Sequence, residues 1–167
     1  ETLLDAAESG TPVFGICLGM QMLLTTSEEA HHEGQGEVEG LDLIPGTNRR
    51  FRGDLKVPHM GWNELDVQRD HPLVAGVDSV ASETQRRNGV ASGGAVDGDY
   101  AYFVHSYYAA PDDEGAVVAT TDYGEAFPSV VADESGTVFG TQFHPEKSGE
   151  TGLQILRNYV DLCSDRA

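Results

Sequence analysis

Lysine is the scarcest charged residue in this 167-residue chain, with only Lys56 and Lys147 among ten basic side chains. Against those ten stand 28 Asp and Glu, for a formal net charge of -18. A field of that sign repels phosphate backbones and anionic bilayers, which excludes nucleic acid and lipid headgroups as partners. Cysteine is scarce too. Cys17 and Cys163 are too few for a disulfide framework and too far apart in sequence for a metal-ligand pair, and they fit a reducing compartment. The chain has no run of about 18 apolar residues, and its acidic start lacks the charged region and apolar core of a secretion signal. The expectation is a soluble, cytoplasmic protein that uses neither cofactor nor metal. Its acids are scattered along the chain rather than gathered in a tail, which predicts a solvated acidic shell. Such self-repulsion is relieved by screening, so a halophilic setting is expected, with melting temperature rising as KCl is added; no rise would contradict it.

What the chain does have is enough apolar material, 39% of positions, for one core and one domain over residues 1–167. Leu3, Leu4, Ala6 and Ala7 fall at helical spacing before Gly10, a C-cap signal. Residues 11–16, Thr-Pro-Val-Phe-Gly-Ile, read as a buried strand, and residues 20–24 resume a helix. Residues 27–46 are acidic and glycine-containing and read as a surface connection. His31, His32 and Glu33 inside it are neighbours on a loop, a poor basis for coordination geometry. Strands are predicted within 49–68, for example 63–67, and at 100–108, 115–121, 129–132 and 138–143. A helix closes the chain at 151–163, with Cys163 as a small packing residue. Residues 79–99 are polar and read as an excursion. Helices alternating with buried strands define an α/β fold, and no repeat or linker divides it.

Two short segments carry chemistry. Gly15-Ile16-Cys17-Leu18-Gly19 follows the strand and opens the helix, a nucleophile-elbow pattern in which small neighbours allow a sharp turn to present one side chain. At a helix N-terminus the Cys17 thiolate gains from local positive potential, and the Leu18 N–H can face a developing oxyanion. Alone, these residues fit a packed core cysteine equally well. The second segment, Phe143-His144-Pro145-Glu146-Lys147-Ser148, follows a predicted strand, and active sites of open α/β sheets lie at strand C-terminal ends. There His144 can take the thiol proton and return it to a leaving amine, with Glu146 orienting the ring.

Together the Cys17 elbow and the Gln-Phe-His-Pro-Glu-Lys-Ser run resemble the class I, triad-type glutamine amidotransferases. The resemblance covers nearly all of the chain. It implies an open, mostly parallel or mixed central sheet flanked by helices, in a three-layer flavodoxin-like or Rossmann-like arrangement. It also implies attack of Cys17 on the side-chain amide of glutamine, release of ammonia and hydrolysis of a glutamyl thioester, with Gln21, Ser106 and Tyr107 at substrate-binding positions. Val57-Pro58-His59-Met60-Gly61-Trp62-Asn63 and Tyr102-Phe103-Val104-His105-Ser106-Tyr107-Tyr108 are similar to the imidazole glycerol phosphate synthase branch. That implies a heterodimer with a cyclase subunit that takes the ammonia in histidine biosynthesis, and Trp62, Asn63 and Lys147 toward that partner. Family members begin with a strand, a helix and a second strand before the helix read at 1–9, so those elements and a second oxyanion donor are expected to be missing here. A different class I amidotransferase, or a silent cyclase-binding fragment, stays open as an alternative.

Overall fold

The structure is a computed structural model and describes residues 2–29, 38–78 and 99–165. Helix α1 (Leu3–Glu8) is opened by a capping box. The Thr2 hydroxyl accepts the Asp5 N–H, and the Asp5 carboxylate accepts the Thr2 N–H, satisfying two orphan donors reciprocally. Strand β1 (Val13–Ile16) leads into the five-residue helix α2 (Leu18–Met22), and β2 (Leu24–Ser27) follows. Next come β3 (Val38–Glu39), β4 (Ile44–Arg50), β5 (His59–Glu64), β6 (Asp66–Val67), β7 (Tyr100–His105) and β8 (Tyr107–Pro111). After β9 (Val117–Asp122), β10 (Ala126–Ala132) and β11 (Val138–Thr141), a 3-10 turn over Pro145–Lys147 precedes the long helix α3 (Gly149–Ser164).

The central sheet runs β1-β11-β10-β9-β6. β1 and β11 are parallel neighbours, with Ile16 opposite Thr141, and the rest of this sheet pairs antiparallel. A second sheet runs β3-β2-β4-β8, with β2 and β4 parallel. β5 and β7 form an antiparallel pair. The fold is therefore mixed α/β, and parallel pairing is confined, among the described residues, to β1–β11 and β2–β4. Three layers follow from side-chain alternation. In β10 and β11, Val130 and Phe139 join a core with Phe103, Phe127, Phe143 and Ile155 of α3. Their chain neighbours Val131 and Val138 join a separate core with Met20 of α2, Leu23, Leu24 and Ile44. Successive strand residues point to opposite faces, so both faces of the sheet are covered. Burying one Phe contributes roughly 1.5–3 kcal/mol.

Some boundaries differ from the sequence reading. The helix expected through Leu24 ends at Met22, because Leu24 pairs with Ile44 in the parallel β2–β4 ladder and both are buried. The connection expected at 27–46 holds β3 and the start of β4; His31, His32 and Glu33 lie outside the described residues. The run at 63–67 breaks at Leu65, which is fully buried while its N–H donates to Asp99 O. The single strand expected at 100–108 splits at Ser106, where the chain leaves the β5 partner for the β4 partner. Of the 79–99 excursion only Asp99 is described. Among the described residues no helix is long and apolar enough to cross a membrane.

Candidate active site

Cys17 occupies the turn between β1 and α2 with φ 52 and ψ -105, a region that costs an L-residue on the order of 1–3 kcal/mol. Two backbone hydrogen bonds and a close approach of α2 to β1 hold it there. Its N–H donates to Thr141 O at 2.8 Å, extending the β1–β11 ladder by one residue, and its carbonyl accepts the Gln21 N–H at 3.1 Å. At Gly15 a Cβ would stand 2.6 Å from backbone atoms of Gly19 and Met20, so only glycine lets α2 fold back against the strand that launches it.

The parallel register sends β11 out at the same sheet edge as β1, and the next residues are Gln142, Phe143 and His144. His144 N–H donates to Tyr102 O of β7 at 3.0 Å. Its ring Nδ1 lies 2.7 Å from Glu146 Oε1, within charge-assisted range. The turn carrying this pair is pinned by Ser148, whose hydroxyl donates to His144 O at 2.6 Å and accepts Tyr102 N–H at 2.9 Å. Behind it, a Cβ on Gly152 would run into Pro145 O, so α3 packs against the turn at glycine distance.

The thiol's own hydrogen bonds run to Val104 O and from Gln142 Nε2, each at 3.8 Å. None joins it to His144; such bonds in ligand-free sites often tighten only with substrate. Burial pushes the thiol above its ordinary value, and the Glu146 charge adds to this, while donation from the Leu18 N–H and the Gln142 amide pulls the other way. The lowering expected from the helix N-terminus does not prevail, because burial outweighs the two donors. The strand beside β1 leads on to the His144 imidazole.

Gln21 Nε2 donates to Tyr107 O at 2.8 Å and to Gln142 Oε1 at 3.2 Å. A cleft of about 150 Å³ opens beside α2, lined by Leu18, Gln21, Glu29, Glu39 and Asn48 among others. Tyr107 thus reaches this region through its carbonyl, whereas Ser106 meets it only through the chain turn, its own carbonyl accepting Phe51 N–H at 3.3 Å. Trp62 is 57% exposed and sits edge-on to Tyr102. Met60 is likewise exposed, and Lys147 stands exposed in the His144 turn. Asn63 faces the other side of β5, its amide donating to Asp122 O at 2.8 Å, so the structure separates it from Trp62. Gln142 and Ser148 escaped the sequence reading as site residues, although both lie in the Gln-Phe-His-Pro-Glu-Lys-Ser run. Among the described residues no cluster of three or more His, Cys, Asp or Glu could hold a metal ion.

Fold and site place the chain among three-layer α/β proteins that carry a cysteine at a strand-to-helix elbow. Residues 1–162 match the family described as glutamine amidotransferase class-I, and the chain belongs to that family. Over 165 residues it is 74% identical to the imidazole glycerol phosphate synthase subunit HisH of Haloarcula marismortui, spanning 99% of this chain and 70% of that one. It is 45% identical to the HisH subunit of Methanosarcina acetivorans, over 96% of this chain and 68% of the relative. The structure of PurLQS from Thermotoga maritima aligns with a TM-score of 0.61 at 20% identity, covering 95% of this chain and 65% of that one, a likeness of fold.

Proposed function

We propose that this chain is the glutaminase subunit of imidazole glycerol phosphate synthase, hydrolysing glutamine and passing ammonia to a cyclase subunit in a cytoplasmic heterodimer. The β1–β11 register carries the site reading, because it brings a strained cysteine and a carboxylate-paired histidine to one sheet edge. His144 takes the Cys17 proton as sulfur bonds to the amide carbon of glutamine. The resulting oxyanion faces the Leu18 N–H. Return of that proton to nitrogen breaks the C–N bond and frees ammonia, leaving a glutamyl thioester. Water, deprotonated by His144, then cleaves the thioester to glutamate and free thiol, and Glu146 steadies the imidazolium in both halves.

Glu29 and Glu39 at the cleft suit the ammonium group of glutamine, and Gln21 with the Tyr107 carbonyl forms its polar wall. The exposed Met60, Trp62 and Lys147 suit a partner surface, since aromatic anchors dominate binding energy at interfaces. Free ammonia would be protonated in water, so transfer is expected at that face and turnover is expected to depend on the partner. Glutamate release by the full-length chain, with and without the cyclase subunit, is the test. Strong stimulation by the cyclase is expected, and high turnover that the cyclase leaves unchanged would contradict the coupling.

A further inference from the structure

The proposed mechanism leaves His59 and His105 unused, and they are buried against each other. His59 and His105 stand directly opposite in the β5–β7 register and are only 3% and 5% exposed. His59 Nδ1 lies 3.1 Å from His105 Nε2. The His59 ring stacks between Phe103 and Tyr123, and Phe51 and Phe127 close the pocket around both imidazoles. In such surroundings a charged imidazole is disfavoured by desolvation, and burial pushes both groups down to about 4.

Hydrogen-bond partners at the two ends leave this pair one direction. His105 Nδ1 lies 2.8 Å from Tyr107 O, an acceptor only, so Nδ1 carries the proton and Nε2 accepts. His59 Nδ1 must then be the donor across the 3.1 Å contact, which makes His59 Nε2 an acceptor. That acceptor meets the Asn63 amide nitrogen at 3.3 Å. Asn63 itself is oriented from outside the chain of bonds, because its Oδ1 accepts Glu64 N–H at 2.9 Å and its Nδ2 also donates to Asp122 O. Every donor finds an acceptor only if both rings are neutral and in the Nδ1–H tautomer. At the far end the Tyr107 carbonyl also receives the Gln21 amide, whose second bond goes to Gln142, the donor to Cys17 Sγ.

We infer that His105 and His59 are positioning residues of the glutamine site: as a one-way chain of neutral imidazoles they fix the Tyr107 carbonyl that holds Gln21, and tie it to Asn63 of β5. This rests on the glutaminase reading above. The pair touches no reacting atom, so its effect falls on substrate binding rather than on the chemical step.

Two measurements on the full-length chain with its cyclase subunit test it. Nitrogen-15 correlation spectra of the histidine side chains should assign both rings to the neutral Nδ1–H tautomer at pH 7; an Nε2–H tautomer for either would overturn the inference. His105→Phe keeps the ring and removes the bond to Tyr107, so KM for glutamine should rise about tenfold while kcat stays within about twofold. His105→Asn sets an amide N–H where Nδ1–H stands and should bring KM back to within about threefold of the parent. An unmoved KM in His105→Phe, or His105→Asn as impaired as His105→Phe, would refute the positioning role. The unsubstituted complex is the control: no glutamine turnover there removes the glutaminase reading, whereas turnover with an unmoved KM in His105→Phe removes this inference alone.

Discussion

Two histidine pairings in this molecule have surroundings that differ in the respects that matter to protons. His144 sits on a turn open to solvent, joined to a half-exposed carboxylate across 2.7 Å. His59 and His105 sit in an aromatic pocket, joined to each other and to neutral amides and carbonyls. A carboxylate partner in contact with water favours a ring that gains and loses a proton during turnover. A dry aromatic pocket favours a ring that never does. The proposed function gives the same side chain the part of base in one place and of strut in the other.

The contrast breaks most sharply at His144. His144→Ala should lower kcat for glutamine by at least about 10⁴, as loss of a general base does in triad enzymes, read as glutamate release with the cyclase present. Glu146→Gln, which keeps shape and removes charge, should cost on the order of 10²–10⁴ in kcat. If that substitution leaves the rate unchanged, the carboxylate does not distinguish this pair from the buried one.

Gln142→Leu should lower kcat/KM about tenfold and move the alkylation midpoint of Cys17 upward, because one of the two donors that oppose burial is lost. An unchanged midpoint would detach Gln142 from the sulfur. The smallest effect concerns acid stability. In the unfolded chain His59 and His105 take up protons near 6.5, and in the folded chain only near 4. The unfolded state binds more protons in that window, so their contribution to stability is full above about 6.5 and falls as pH drops toward 4. Urea midpoints measured across that range should decline, and the double substitution His59→Phe with His105→Phe should flatten the slope.

What could be read in advance follows from how local each signal is. The Cys17 elbow and the His144-Pro145-Glu146 turn are each set within a few residues, and Gly15, the glycine that permits the first, stands two residues before Cys17. That they share one edge depends on a parallel ladder between strands some 120 residues apart in sequence, which helix and strand periodicity implies but does not fix. The histidine relay was illegible because it arises from pairing His59 with His105 in one register. A shift of one residue would point one of the rings to the opposite face. The strand break at Ser106 escaped for a similar reason. Its neighbours alternate as one continuous strand, and only the competition between β4 and β5 for pairing divides it. Gln142 is fully buried, yet a glutamine in an apolar strand carries no pattern of its own. Its role is visible only once Gln21 and Cys17 are placed against it.

The acidic surface belongs to a different level from the site. A net charge of -18 speaks to solvation and to salt rather than to chemistry, and it accords with high identity to relatives from Haloarcula and Halobacterium.

The most direct test is covalent. The full-length chain with its cyclase subunit is treated with a glutamine-analogue electrophile and the modified residue is read by peptide mass spectrometry. Modification at Cys17 alone, blocked by excess glutamine and strongly slowed in His144→Ala, is the predicted result. Modification that falls equally on Cys163, or that proceeds at the same rate without His144, would contradict a Cys17–His144 site.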